Sequence, residues 1–146
     1  MQITSRFTIA VHIITATDYF KDKETVTSSF LAGSVGVNPV VIRTVMSKLK
    51  DAGIIRSSRG RSGITLAREL KDITFYDVYK AVDCLDETGL FHFHENPNMA
   101  CPVGRNIHSA MDEKLRDIQN SMEEQMKQIT LADIAGNLQE EIKKAG

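Results

Sequence analysis

Cysteine is scarce in this chain of 146 residues: Cys84 and Cys101 are the only two, and they show no paired spacing. That argues against a disulfide scaffold and fits a reducing compartment. No apolar run approaches the roughly 20 residues needed to span a bilayer, and the first residues lack the apolar core of a secretory signal. A cytoplasmic protein without a membrane partner is expected. Catalytic signatures are missing as well. There is no phosphate-binding Gly-rich motif, no serine elbow, no His-Glu-x-x-His and no pair of acids spaced for shared catalysis. Gly60-Arg61-Ser62-Gly63 is too slight for a nucleotide loop, so an enzyme is not expected.

Apolar residues make up 42% of the chain, enough to bury the core of one ordinary domain. Net charge is only −1, but its distribution is lopsided. Between positions 43 and 71 eight Lys or Arg stand against two acids, a net +6, while from 72 onward seven stand against fourteen, a net −7. The basic part suits a polyanion and the acidic part would repel one. The plainer explanation, a solvated charged surface, weakens because the basic cluster falls on a segment of definite shape.

That segment, 27–67, reads as a helix, a tight turn, a second helix and two short strands. Thr27 or Ser28 can cap the first helix, with Phe30, Leu31 and Val35 along one side, and Gly36 supplies the reversal. Asn38-Pro39 opens the second helix, because Asn is a good N-cap and Pro at the first position loses no needed hydrogen bond. Along 39–52, Ile42, Val45, Met46 and Leu49 recur three or four apart and face a core. Gly53 is a stop. The strands 54–57 and 64–67 flank a loop carrying Arg59 and Arg61. The whole is a winged helix-turn-helix. A helix of this kind fits the major groove of duplex DNA, and Asn38, Val40, Val41, Arg43, Thr44, Ser47 and Lys48 are the candidate contacts. Arg43 can meet guanine bidentately or only a phosphate. Arg59 and Arg61 at the wing tip suit the minor groove or backbone.

Before this segment, Thr4 or Ser5 can cap a helix to about residue 19 with a stripe of Phe7, Ala10, Val11 and Ile14, joined by Ile13. His12 beside the stripe reads as a partly buried histidine satisfied by a neighbour, ahead of any metal role. After the segment, Thr74 caps a helix over 75–84, and an irregular connection fills 86–100. There His92 and His94 could join Cys101 or His108 around zinc or iron. Phenylalanine packing with hydrogen-bonded histidines is favoured over that arrangement, so no metal site is assigned.

Pro102 suits the first turn of a long helix over 102–128, which puts Cys101 at its N-cap. Unpaired amides there favour thiolate and raise reactivity, making Cys101 a candidate sensor; an inert, half-buried cysteine is the competing view. Val103, Ile107, Met111, Leu115, Ile118, Met122, Met126 and Ile129 form one apolar seam. A single helix cannot bury such a seam against itself. A partner subunit is the economical cover, with Ile107 through Met126 as the dimer interface, although the methionines could pack within one subunit. Thr130 caps a last helix, in which Leu131, Ile134, Leu138 and Ile142 would close the bundle.

These residues carry a resemblance. Leu31-Ala32, Val37-Asn38-Pro39-Val40-Val41-Ile42-Arg43, Ser47-Lys48-Leu49-Lys50-Asp51-Ala52-Gly53-Ile54-Ile55, Arg59-Gly60, Leu66-Ala67-Arg68 and Ile73-Thr74-Phe75-Tyr76-Asp77-Val78 are similar to the Rrf-two (BadM/IscR/CymR-like) bacterial transcription regulators. His94-Glu95-Asn96-Pro97-Asn98, Cys101-Pro102-Val103-Gly104 and Asp112-Glu113 resemble their YwnA-like subgroup. The resemblance covers nearly the whole chain and implies a DNA-binding repressor whose long helix crosses to the partner subunit. One departure is the wing, where Ser62-Gly63-Ile64-Thr65 is shorter than the family's glycine-rich run. Relatives that carry an iron-sulfur cluster place three cysteines in the region of Cys101. Here Cys101 stands there alone, with Cys84 upstream, so no cluster and no other cofactor is expected.

The resulting expectation is a mainly α fold with a small two-stranded β wing. A winged helix-turn-helix domain occupies 1–84, a connecting loop 85–101 and dimerisation helices 102–146. Its function would be sequence-specific binding of double-stranded DNA as a homodimer, regulating transcription in response to thiol redox or a small ligand. The alternative is a winged helix that regulates a partner enzyme without touching DNA.

Overall fold

The computed structural model describes residues 3–58, 63–82, 90–91 and 93–146. Arg59, Arg61, Cys84, His92 and the far end of the helix expected over 75–84 lie outside them. The chain begins with α1 (Ser5–Tyr19), capped by Thr4, whose side chain accepts from the Arg6 amide. Then come α2 (Ser28–Val35), α3 (Pro39–Asp51), strands β1 (Ile55–Ser57) and β2 (Ile64–Leu66), and a 3-10 turn (Leu70–Asp72). Helices α4 (Phe75–Val82), α5 (Pro102–Lys127) and α6 (Leu131–Ala145) complete it. Among the described residues no single helix is long and apolar enough to cross a membrane.

The punctuation acts as the sequence indicates. Thr27 Oγ1 accepts from the Phe30 amide at 3.1 Å to start α2, and Gly36 ends it at φ 80°. That left-handed value is the one that side chains resist and glycine tolerates. Asn38 Oδ1 accepts from the Val40 amide at 2.8 Å, Pro39 follows, and α3 stops before Gly53 at φ 73°. Ile42, Val45 and Leu49 of α3 are fully buried and Met46 nearly so. Burying each such side chain contributes about 1.5–3 kcal/mol.

Two expectations are corrected. The first is the single stripe on α1. The structure buries Phe7, Ile9, Ala10, Ile13, Ile14, Ala16 and even Thr15 and Thr17, and leaves Val11 only half-buried. The reason is position: α2, α3, α4, α6 and β2 all pack around α1, so beyond its first turn only Thr8 and His12 are left fully to water. Its two buried hydroxyls donate to carbonyls one turn back, Thr15 to Val11 and Thr17 to Ile13, both at 2.7 Å, as buried polar groups must. The second concerns the strands, each one residue shorter than read. They pair antiparallel with Ile55 opposite Leu66, Arg56 opposite Thr65 and Ser57 opposite Ile64. Ile54 precedes the ladder, fully buried, and its carbonyl accepts from the Ala67 amide at 2.9 Å.

α4 starts at a reciprocal cap. Thr74 Oγ1 accepts from the Asp77 amide at 3.1 Å while Asp77 Oδ2 accepts from the Thr74 amide at 3.0 Å. Thr130 and Asp133 repeat the device at α6. Leu131 enters the same core as α1 and α3 and is fully buried, so the last helix is anchored to the winged part of the chain. Ile134, Leu138 and Ile142 lie along α1, where they and Val11, Ala16 and Tyr19 line an open apolar groove of about 500 Å3. His12 stands on the rim of this groove, its Nε2 2.9 Å from Ser34 Oγ, so the expected neighbour is there, but the ring is exposed rather than partly buried because this side of α1 faces solvent.

Candidate nucleic-acid interface

With one side of α3 locked in the core, the other side is fixed in space. Val40 (58% exposed), Val41, Arg43, Thr44 and Ser47 are exposed there, with Lys48 half-buried beside them. Val40, Arg43, Thr44, Ser47, Lys48 and Asp51 line one shallow hollow of about 490 Å3. Arg43 and Ser47 also border a second hollow of about 430 Å3, closed by Lys50 of α3, the Thr27-Ser28 start of α2 and Ser57 of the wing. Asn38 is taken up with its capping bond. Among the described residues no acid forms an ion pair with Arg43, Lys48 or Lys50. Three cations are thus available to phosphate on a ridge of helical width.

The structure adds one residue to the expected set. Lys50 shares the second hollow with Arg43 because it lies seven positions on, two helical turns away on the same face, and helical periodicity would have found it. Arg56 is exposed on the wing but lines a different hollow, with Asp18, Lys21 and Asp22 by the end of α1.

The expected sensor lies outside these hollows, at the start of α5. Cys101 is the N-cap of α5, with Pro102 at the first position. The sulfur makes no full capping hydrogen bond, but it lies by the amides of Gly104 and Val103. These amides hold the thiol below its ordinary value of 9.0, against a weaker opposing effect of burial. The loop before it is shaped by Asn98, whose Oδ1 accepts from the Ala100 amide at 2.9 Å and whose carbonyl accepts from the Cys101 amide at 3.1 Å. That carbonyl lies so close over Gly104 that any Cβ there would collide with it.

Of the histidines weighed for metal, His108 donates through Nε2 to the His94 carbonyl at 3.1 Å and sets Nδ1 3.2 Å from Asp112. The His94 and His108 rings lie 5.1 Å apart, and Phe93 meets His108 edge-on. Both nitrogens of His108 are therefore engaged within the protein.

No residue of α5 is buried. Val103 is 67% and Ile118 53% exposed, while Ile107, Met111 and Leu115 are half-buried. Met122 and Met126 lean on the chain's own core. The upper part of the seam is only partly covered within the subunit.

Three comparisons bear on this geometry. A family model described as Rrf2, iron-dependent transcriptional regulator, matches residues 3–137. An HTH-type transcriptional regulator of Bacillus subtilis, YwnA, is 40% identical over 136 residues, spanning 93% of this chain and 98% of that one. A crystal structure described as a DNA-binding protein superposes with TM-score 0.71 at 35% identity, covering 89% of this chain and 98% of its own. CymR of B. subtilis, described as the global cysteine regulator, shares the fold at TM-score 0.68 and 18% identity, over 93% and 97% of the two chains. The iron in the family's description asks for several donors. Among the described residues no three of His, Cys, Asp or Glu come together to hold a metal ion.

Proposed function

The chain belongs to the Rrf2 family of transcriptional regulators, and from that premise we propose that it binds double-stranded DNA sequence-specifically as a cytoplasmic homodimer and regulates transcription, as a repressor. The observation that carries this reading is the unneutralised ridge of Arg43, Lys48 and Lys50 on a helix whose other side is locked in the core. The caps and core have already fixed the backbone of the helix, so docking has only the side chains of those cations left to order. α3 enters the major groove. The wing, whose connecting segment carries Arg59 and Arg61 in the sequence, lies over the flanking backbone or minor groove.

Dimerisation follows from the exposed seam of α5. A helix of 26 residues with no buried side chain gains from pairing, and a twofold axis supplies two recognition helices for two half-sites. The signal is read at Cys101. Its thiolate attacks an oxygen of hydrogen peroxide, an S–O bond forms, the O–O bond breaks and hydroxide leaves, taking a proton from solvent to become water, which gives a sulfenic acid at the start of α5. Cys84 or a partner's thiol then condenses with it. Because α5 joins the dimer seam to the core through Met122 and Met126, a change at its start alters the spacing of the two α3 helices.

The test is fluorescence anisotropy of the full chain on a duplex from its own upstream region and on a scrambled duplex, over a range of salt. Preference for the native duplex with affinity falling steeply as salt rises is the expected result, since each neutralised phosphate releases counterions. A flat salt dependence with no preference would overturn the DNA reading.

A further inference from the structure

The first turn of α3 carries apolar groups that neither the core nor phosphate binding uses. Val40 and Val41 are 58% and 38% exposed, on the surface where the cations stand. One turn on from Val40, Thr44 donates its hydroxyl to the Val40 carbonyl at 3.0 Å. Its hydrogen is thereby engaged inside the helix, and what this exposed side chain still offers is its γ-methyl beside an oxygen that can only accept. Val40 and Thr44 line the same hollow as Arg43 and Lys48. The result is an apolar patch set between cations, on the part of the helix that lies nearest the base edges.

Resting on the DNA reading above, we propose that this patch reads thymine: Val40 and Thr44 pack against the 5-methyl groups of thymines in the major groove, while Arg43 and Lys48 hold the neighbouring guanine or phosphate. Of the four bases only thymine presents a methyl group there, and apolar side chains are its complement. The charge around the patch selects the occupant. A protein partner's apolar side chain would have to sit among unpaired cations, whereas a duplex brings the phosphates that neutralise them. Covering one methyl group is worth about fourfold in affinity.

The experiment starts by selecting duplexes from a randomised library with the full-length protein. Each enriched thymine is then replaced by deoxyuridine, which keeps the base pair and removes only the methyl. Native protein is expected to lose about fourfold at one or two positions in each half-site. Val40→Ala should lose that sensitivity at one of them, and Thr44→Ser, which keeps the hydroxyl and drops the methyl, at the other. A selected motif at which uracil binds as well as thymine everywhere overturns the thymine reading and leaves DNA regulation standing. Variants that weaken thymine and uracil duplexes equally overturn it too. Failure to enrich any duplex removes both readings together.

Discussion

Thr74 and Thr130 face each other across an isolated antiparallel bridge, and each caps the helix that leaves it. The Phe75 amide donates to the Ile129 carbonyl at 2.9 Å, and the Leu131 amide to the Ile73 carbonyl at 2.8 Å. Helix α4 of the winged part and helix α6 of the C-terminal part therefore spring from one two-bond ladder. The winged part and the C-terminal part of the chain are thus joined there by backbone hydrogen bonds as well as through the core.

Removing one cap at this ladder should loosen both parts. Thr130→Ala deletes the acceptor for the Asp133 amide, now at 3.2 Å, and should cost about 1 kcal/mol. In a chain of this size that lowers the melting temperature by roughly 2–4 °C. Thr130→Ser should retain the native value in a thermal melt followed by circular dichroism. An unchanged melting temperature for the alanine variant would mean that Thr130 contributes no cap in solution.

Arg43 borders both hollows on α3 and makes no ion pair among the described residues. Arg43→Ala should weaken binding to a selected duplex by roughly 1–3 kcal/mol if the guanidinium reads a base, and random duplex much less. Equal loss on both duplexes, measured by anisotropy at one fixed salt concentration, would assign Arg43 to phosphate.

Ile118 is half-exposed on α5 and touches no core. Ile118→Lys should leave the helical content unchanged and shift the chain from dimer to monomer in sedimentation velocity, because a desolvated ammonium opposes pairing across the seam. Sedimentation identical to the native protein would place the dimer contact elsewhere.

Cys101 should titrate below an ordinary thiol. In a Cys84→Ser background, the pH at which iodoacetamide alkylation reaches half its maximum rate is expected below 9.0, owing to the Gly104 and Val103 amides. The sign for stability follows from the same depression. Any stabilisation from the thiolate is complete above the unfolded thiol's value and fades as pH falls through the lower folded value. Gly104→Ala should raise the alkylation midpoint, since its Cβ would displace the Asn98 carbonyl and with it the start of α5. A midpoint unmoved by Gly104→Ala would mean that these amides do not set the thiol's reactivity.

What the sequence alone determined is whatever depends on neighbours within four positions. The caps Thr27, Asn38, Thr74 and Thr130, the left-handed stops Gly36 and Gly53, the buried row of α3 and the Cys101 N-cap all follow from local backbone geometry. The apolar seam of α5 belongs with them, because its period is written in consecutive turns. Only the tertiary structure decided that α1 would be packed by five other elements and that the Arg43 and Lys50 face of α3 would lie beside the start of α2. The same holds for His108 closing on His94 and for Thr74 pairing with Thr130, residues far apart in the chain. Such meetings depend on how helices already formed pack around a shared core. Packing is fixed by the shapes of all the buried side chains together, and no local window of the sequence contains them.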